Sequence, residues 1–255
     1  MCTSFVWRSN GSVLVAMNFD IPDPFTTEAT DDRFVVQTMT PRGSFPAFGV
    51  RCDGTFINHL LVDDHGQGRY KRASTTVTHT TRLVADILSG AITTAGLNDY
   101  FARMTVTNVP NMCAHCLITD RFGNAWVVEP GRGTISSTAS SSPFFVMTNF
   151  ELYDLNEGCT PCGSGADRYV TATKMLTGRD NLSVDQALDI LRATRQVDGD
   201  WPTVYSLIYS AAENAVYTCD RGNFGILERH AFPMKYSSAD IENGDNDDCD
   251  LTGVA

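Results

Sequence analysis

The chain has no apolar run approaching the roughly 20 residues a helix needs to cross a bilayer. A membrane-spanning protein is therefore not expected. Positive charge is also scarce: 19 Lys and Arg stand against 30 Asp and Glu, for a formal net charge of −11. A chain of that sign repels a phosphate backbone, which argues against a nucleic-acid partner. The start carries no basic stretch leading into an apolar segment, so export is not expected and a cytoplasmic location is. No internal repeat or clear linker divides the sequence. Hydrophobic residues make up 42% and charged residues 19%, which is ordinary for a globular protein. Its 255 residues can bury a substantial core. The expected organisation is one domain over residues 1–236 and an acidic tail over 237–255. Within that tail the stretch 240–250 is expected to be solvated and disordered.

Cysteine is not scarce. There are eight, at Cys2, Cys52, Cys113, Cys116, Cys159, Cys162, Cys219 and Cys249. Without an export signal, reduced thiols are the default. Cys113-Ala-His-Cys116 and Cys159-Thr-Pro-Cys162 have the internal spacing of zinc ligands. Yet 42 residues separate the two pairs, well beyond a zinc ribbon. Cys113 and Cys116 also fall in an expected strand, where positions three apart face opposite sides. Free thiols packed as small hydrophobes are the preferred reading, with no metal and no cofactor. A reversible Cys159–Cys162 disulfide ranks below it.

Periodicity predicts strands over Arg33–Met39, Ala47–Arg51, Thr55–Val62, Cys113–Thr119, Ala125–Glu129 and Phe144–Met147. Further strands are expected over Val204–Ser210, Ala215–Cys219 and Phe224–Arg229. Helices are expected over Thr81–Leu88, Leu97–Met104, Ala166–Leu176 and Val184–Ala193. The last has Ser183 as N-cap and Gln186 completing a capping box. Runs of strands alternating with runs of helices predict an α+β protein, with layered sheets and helices outside.

The most informative residue is Cys2. Methionine aminopeptidases trim Met1 before a small residue, so a mature chain beginning at Cys2 is expected. Such a residue carries a thiol of reference pKa about 8.5 beside an amine of about 7.7–8.0, a nucleophile with its own base. Cys2–Arg8 reads as a strand, Asn10-Gly11 as a tight hairpin turn, and Ser12–Met17 as the returning strand. That hairpin brings Asn18-Phe19-Asp20 back beside Cys2. Asp20 is then placed to accept a hydrogen bond from the α-amine.

Four further stretches complete a pattern. They are Asn18-Phe19-Asp20; Ala114–Gly123 with Val127-Val128-Glu129; Val146-Met147-Thr148-Asn149; and Ala166-Asp167-Arg168-Tyr169 at a helix start. With Met1-Cys2-Thr3 they resemble, in order, the N-terminal-nucleophile (Ntn) hydrolases of the choloylglycine hydrolase and penicillin V acylase family, relatives of acid ceramidase. The resemblance covers most of residues 1–230. It implies a four-layer αββα sandwich and a linear-amide hydrolase acting on small N-acyl amides. By position, Cys2 would be the nucleophile, Asp20 would orient its amine, and Asn149 would donate to the oxyanion. Arg168 would favour the thiolate, since a nearby cation lowers a thiol pKa. Asn18 and a backbone N–H at Leu61 would meet substrate, Leu61 as second oxyanion donor. His115 reads as a strand histidine rather than a base, because the amine already fills that role.

Two departures from the family pattern matter. Met17 stands where the bile-salt and penicillin branch carries arginine, which implies a less polar pocket. Only 18 residues separate Asn149 from Arg168, so the long insertion that helps build the relatives' tetramer is absent. A homo-oligomer of another form stays compatible with the resemblance. The alternatives are an acyltransferase on the same scaffold, a catalytically degenerate binding protein, and a metal or redox module built on the Cys-x-x-Cys pairs.

Overall fold

The computed structural model describes residues 2–233 except 10, 41, 42 and 157. The acidic tail, including 240–250, lies outside the described residues, as does Asn10 of the expected turn. Strands β1 (Thr3–Ser9) and β2 (Ser12–Asp20) form the opening hairpin, with Ser9 opposite Ser12 and Gly11 at φ 75°. A positive φ at this position suits glycine, which has no Cβ to clash.

The remaining strands are β3 (Phe25–Ala29), β4 (Arg33–Thr40), β5 (Gly43–Arg51), β6 (Phe56–Asn58), β7 (Leu60–Leu61), β8 (Val77–His79) and β9 (Thr105–Thr107). Then come β10 (Ala114–Thr119), β11 (Ala125–Glu129), β12 (Gly133–Ser137), β13 (Phe144–Met147), β14 (Thr203–Ser210), β15 (Ala215–Asp220) and β16 (Glu228–Ala231). The helices are α1 (Thr80–Leu88), α2 (Leu97–Arg103), α3 (Tyr153–Asn156), α4 (Ala166–Leu176) and α5 (Val184–Ala193).

Two sheets stack face to face. One is six-stranded in the order β13-β1-β2-β14-β15-β16, and every pair in it is antiparallel. The other runs β12-β11-β10-β6-β5-β4-β3, with β7 also paired to β10. Alternation along each strand sorts side chains into three cores. In β2, Val13, Val15, Met17 and Phe19 join Leu117, Val127, Phe48 and Phe56 of the second sheet in the inter-sheet core. Leu14 and Ala16 face outward onto Ala172 and Leu176 of α4 and Leu188 and Leu191 of α5. On the far side, Ile57, Cys116, Ile118, Trp126 and Val128 pack against Leu83, Val84, Ile87 and Leu88 of α1 and Leu97 of α2. The result is the expected four-layer αββα sandwich. Strands buried on both faces need apolar residues at nearly every position, which explains the continuous run in β2.

Some elements differ from expectation. β3, β8, β9 and β12 carry little apolar periodicity and were not foreseen. The segment expected as one strand over Thr55–Val62 is split after Asn58. The Asn58 side chain accepts the Leu117 N–H at 2.9 Å, so a side chain replaces the backbone acceptor where the strand breaks. The last strand starts at Glu228 rather than Phe224, because Phe224 leaves the ladder to pack against the α5 layer.

Candidate active site

Topology brings the sequence-marked residues together. β13 and β2 flank β1 and run antiparallel to it, so their carboxyl ends lie beside its amino end. Asp20 ends β2, Asn149 lies just beyond β13, and Cys2 precedes β1. Cys2 and Asn149 are 147 residues apart in sequence, yet the Cys2 N–H donates to Asn149 Oδ1 at 2.7 Å.

Arg168 arrives from the first turn of α4. Its Nη1 donates to the Cys2 carbonyl at 2.7 Å and to Thr3 Oγ1 at 3.0 Å, and lies 3.4 Å from Asp20 Oδ2. Its Nη2 donates to Asn149 Oδ1 at 2.8 Å. A cation in the first turn of a helix opposes the helix dipole; here the Asp20 carboxylate answers it. Gly165, the N-cap, has φ 81°, and a Cβ there would lie 2.7 Å from Arg168 Nη2. Glycine therefore serves two purposes at this position, backbone conformation and room for the guanidinium.

The Asn149 amide is oriented from three sides. Oδ1 accepts from Cys2 and Arg168, while Nδ2 donates to the Leu61 carbonyl at 2.7 Å. An amide nitrogen has two N–H donors, so the Leu61 bond takes only one of them. In the β7–β10 ladder, the Val62 N–H donates to the Cys113 carbonyl. Antiparallel alternation then turns the backbone groups of Leu61 to the opposite edge, toward Asn149.

Asp20 has partners that sequence reading did not find. Thr203 Oγ1 donates to its Oδ1 at 2.6 Å, and Gln196 Nε2 to its Oδ2 at 3.1 Å. A register shift between Thr203 and Tyr205, opposite Asp20 and Phe19, seats Thr203 against the carboxylate. Bulges of this kind commonly re-aim a side chain beside an active site. Neither residue carries a local motif; only the pairing of β14 with β2 reveals them.

Asn18 points elsewhere. Its Nδ2 donates to the Leu191 carbonyl at 2.8 Å and to Thr194 Oγ1 at 3.3 Å, while Ser206 Oγ donates to its Oδ1 at 2.7 Å. Its amide fastens the end of α5 to the sheet rather than facing a cleft. Met17 lies fully buried in the inter-sheet core, with the Asn58 amide 3.7 Å from its sulfur. Like Cys2, Asp20, Asn149 and Arg168, it is not among the residues that line the cleft described next.

That cleft, of about 650 Å³, is lined by Leu61, whose carbonyl accepts from Asn149, and not by Cys2, Asp20, Asn149 or Arg168. Leu61, Tyr70, Met112 and Trp201 give it apolar walls, and Asp64 and Arg69 add charge. Leu61 joins it to Asn149, and the Trp201 carbonyl accepts from Gln196, the partner of Asp20.

Burial dominates the electrostatics. It pushes the Cys2 thiol up to about 11; the Asp20 charge acts in the same direction, while the Asp20 N–H and Arg168 pull back. Burial likewise raises the Asp20 carboxyl from 3.8 to about 6, against the Thr203 hydrogen bond, the Arg168 charge and the Gln196 bond. A thiol so raised is protonated at neutral pH.

Among the described residues, Cys113 lines the cleft and is half-buried, Cys52 and Cys219 are buried, Cys116 packs against α1, and Cys159 and Cys162 are exposed; none of these is in a disulfide. Among the described residues, no group of three or more His, Cys, Asp or Glu is placed to hold a metal ion. No helix among them is long and apolar enough to cross a membrane.

No family model and no curated protein matches this chain. Solved structures do. A mutant conjugated bile acid hydrolase from Clostridium perfringens superposes with TM-score 0.68 at 14% identity, covering 91% of this chain and 92% of its own. Penicillin V acylase from Agrobacterium tumefaciens gives TM-score 0.60 at 13% identity, over 86% of this chain and 83% of its own. The Caenorhabditis elegans ortholog of N-acylethanolamine-hydrolyzing acid amidase gives 0.56 at 16% identity, over 82% and 93%. The chain shares the Ntn-hydrolase fold with these proteins.

Proposed function

We propose that this protein is an amidohydrolase that cleaves linear, non-peptide C–N bonds of small N-acyl amides. Cys2 is the nucleophile once Met1 is removed. One observation carries the reading: Cys2, Asp20, Asn149 and Arg168, marked in the sequence, meet at one end of one sheet, and Asn149 bonds Leu61 in the wall of a cleft. The fold shared with three amide-cleaving enzymes supports it.

The free α-amine takes the thiol proton, and the thiolate attacks the amide carbonyl. The uncommitted Asn149 N–H and the Leu61 backbone N–H receive the oxyanion; preorganised donors of this kind contribute about 3–4 kcal/mol each. The α-ammonium then protonates the leaving amine as the C–N bond breaks. Water, deprotonated by the same amine, attacks the acyl-thioester and restores the thiol. Asp20 and Arg168 fix the amine and the Cys2 carbonyl throughout. No cofactor enters the scheme.

The test combines intact-mass analysis with a panel of bile-salt, penicillin V, N-acyl-homoserine-lactone and N-acylethanolamine amides, run with and without an amine acceptor. Active protein should begin at Cys2, and Cys2→Ala should turn over none of the panel. Acyl transfer in preference to hydrolysis would move the reading to an acyltransferase. Full activity with Met1 retained would refute the mechanism.

A further inference from the structure

His115 and Glu129 form a buried pair that the reaction scheme does not use. Both face inward from the second sheet, in register with Leu117 and Val127. His115 Nδ1 lies 3.2 Å from Glu129 Oε1, and its Nε2 lies 2.7 Å from the Thr148 carbonyl oxygen. That carbonyl can only accept, so Nε2 carries a proton. The Glu129 carboxylate also accepts the N–H groups of Leu152 at 2.5 Å and Tyr153 at 2.9 Å.

These bonds cross from one sheet to the other. They grip the chain on both sides of Asn149, one residue before it and three and four residues after it. A buried ionisable pair is a poor source of stability, because apolar residues of similar volume often serve as well. What such a pair supplies is a fixed geometry. Here the geometry it fixes belongs to the segment leaving β13, which must present one amide to Cys2, Arg168 and Leu61 at once.

We propose that the His115–Glu129 pair is a positioning device for Asn149. It clamps Thr148 to Tyr153 so that the Asn149 amide keeps its place. Its kinetic consequence rests on the hydrolase reading above; its structural consequence does not.

The test uses His115→Leu, His115→Gln and Glu129→Gln in the full chain, each alone and with Asn149→Ala. Misplacement of a reacting group by about 1 Å costs about 10²-fold in rate. His115→Leu should therefore lower kcat by that order and leave KM unchanged. His115→Gln keeps a donor for the Thr148 carbonyl and should recover part of the loss. In the Asn149→Ala background, neither substitution at His115 should lower kcat further. Crystal structures should show the 2.7 Å contact between Asn149 Oδ1 and Cys2 N opened in His115→Leu. An unmoved Asn149, an unchanged kcat, or a full additional loss in the Asn149→Ala background would overturn the proposal. Should wild-type protein hydrolyse no amide, the hydrolase reading alone fails, and the crystal structures still decide the clamp. If His115→Leu does not fold, His115→Gln and Glu129→Gln carry the same measurements.

Discussion

Arg168→Ala removes three buried hydrogen bonds and an ion-pair contact at once. It strips donors from the Cys2 carbonyl, Thr3 Oγ1 and Asn149 Oδ1, and takes the guanidinium away from the buried Asp20 carboxylate. Removing one partner of a buried ion pair costs about 3–5 kcal/mol. The 3.4 Å separation is long, and Asp20 keeps Thr203 and Gln196. The low end, about 3 kcal/mol, is therefore expected. For a domain of this size each kcal/mol moves Tm by about 2–4 °C, so Tm should fall by about 6–12 °C. Urea unfolding of Arg168→Ala, Asp20→Asn and the double variant supplies the assay. Asp20→Asn in the Arg168→Ala background removes the charge that has lost the guanidinium and should recover part of the loss. A second readout is alkylation of Cys2 by iodoacetamide against pH. Arg168 lowers the thiol pKa, so its removal should raise the controlling pKa. A loss under about 1 kcal/mol, the range of an exposed pair, together with additive behaviour in the double variant, would refute the buried ion pair as the organising contact.

Three further outcomes follow from the same geometry. Asn149→Ala should lower kcat by about 10²–10³, the usual loss for an oxyanion donor, as steady-state kinetics would show. Asp20 should impose a pH dependence on stability. Its folded pKa is raised from 3.8 to about 6, so the native state holds the proton more tightly than the unfolded chain. That contribution is complete below about 3.8 and is lost as pH rises through about 6, amounting to about 3 kcal/mol at most. Unfolding curves of wild type minus Asp20→Asn should trace that loss, and parallel curves would contradict it. Thr203→Val removes a hydrogen bond that holds the Asp20 pKa down. It should move the same window to higher pH, read by the same difference measurement.

Much of the fold was legible where one physical signal dominated. The hairpin followed from two apolar runs separated by Asn10-Gly11, and α5 from its Ser183 and Gln186 box, which the structure contains in full. β3 and β12 were not legible, because edge strands are half solvated and read FTTEA and GTISS, without alternation. The break after Asn58 was equally hidden, since the group that replaces a ladder bond is a side chain meeting Leu117 across 59 residues. The same division holds at the site. Cys2 and Asp20 are joined by one hairpin, so local sequence places them together. Thr203 and Gln196 reach Asp20 only because β14 crosses to pair with β2, a contact spanning 183 residues in the Thr203 case. Asn18 shows the converse error. It shares a strand with Asp20 and faces the same side, yet the α5 terminus takes its amide before a ligand can.

The cluster also explains why removal of Met1 would matter beyond exposing a terminus. While Met1 is attached, the Cys2 nitrogen is an amide with one N–H, and Asn149 Oδ1 takes it. An amide nitrogen has no basicity near neutral pH, and burial holds the thiol near 11. On the proposed mechanism the thiol then lacks the base that a Cys2 α-amine would supply. A free amine at the same nitrogen changes this without moving a strand. In its protonated form it has three N–H donors, enough for Asn149 Oδ1 and the Asp20 carboxylate together. A positive charge there also favours the thiolate, as any cation near a thiol does. Arg168 is bound to the Cys2 carbonyl, so the proposed nucleophile is held by its carbonyl while its nitrogen changes role. On the proposed mechanism, the burial that raises the Cys2 thiol also strengthens, once the amine is free, the charge interactions that the reaction needs.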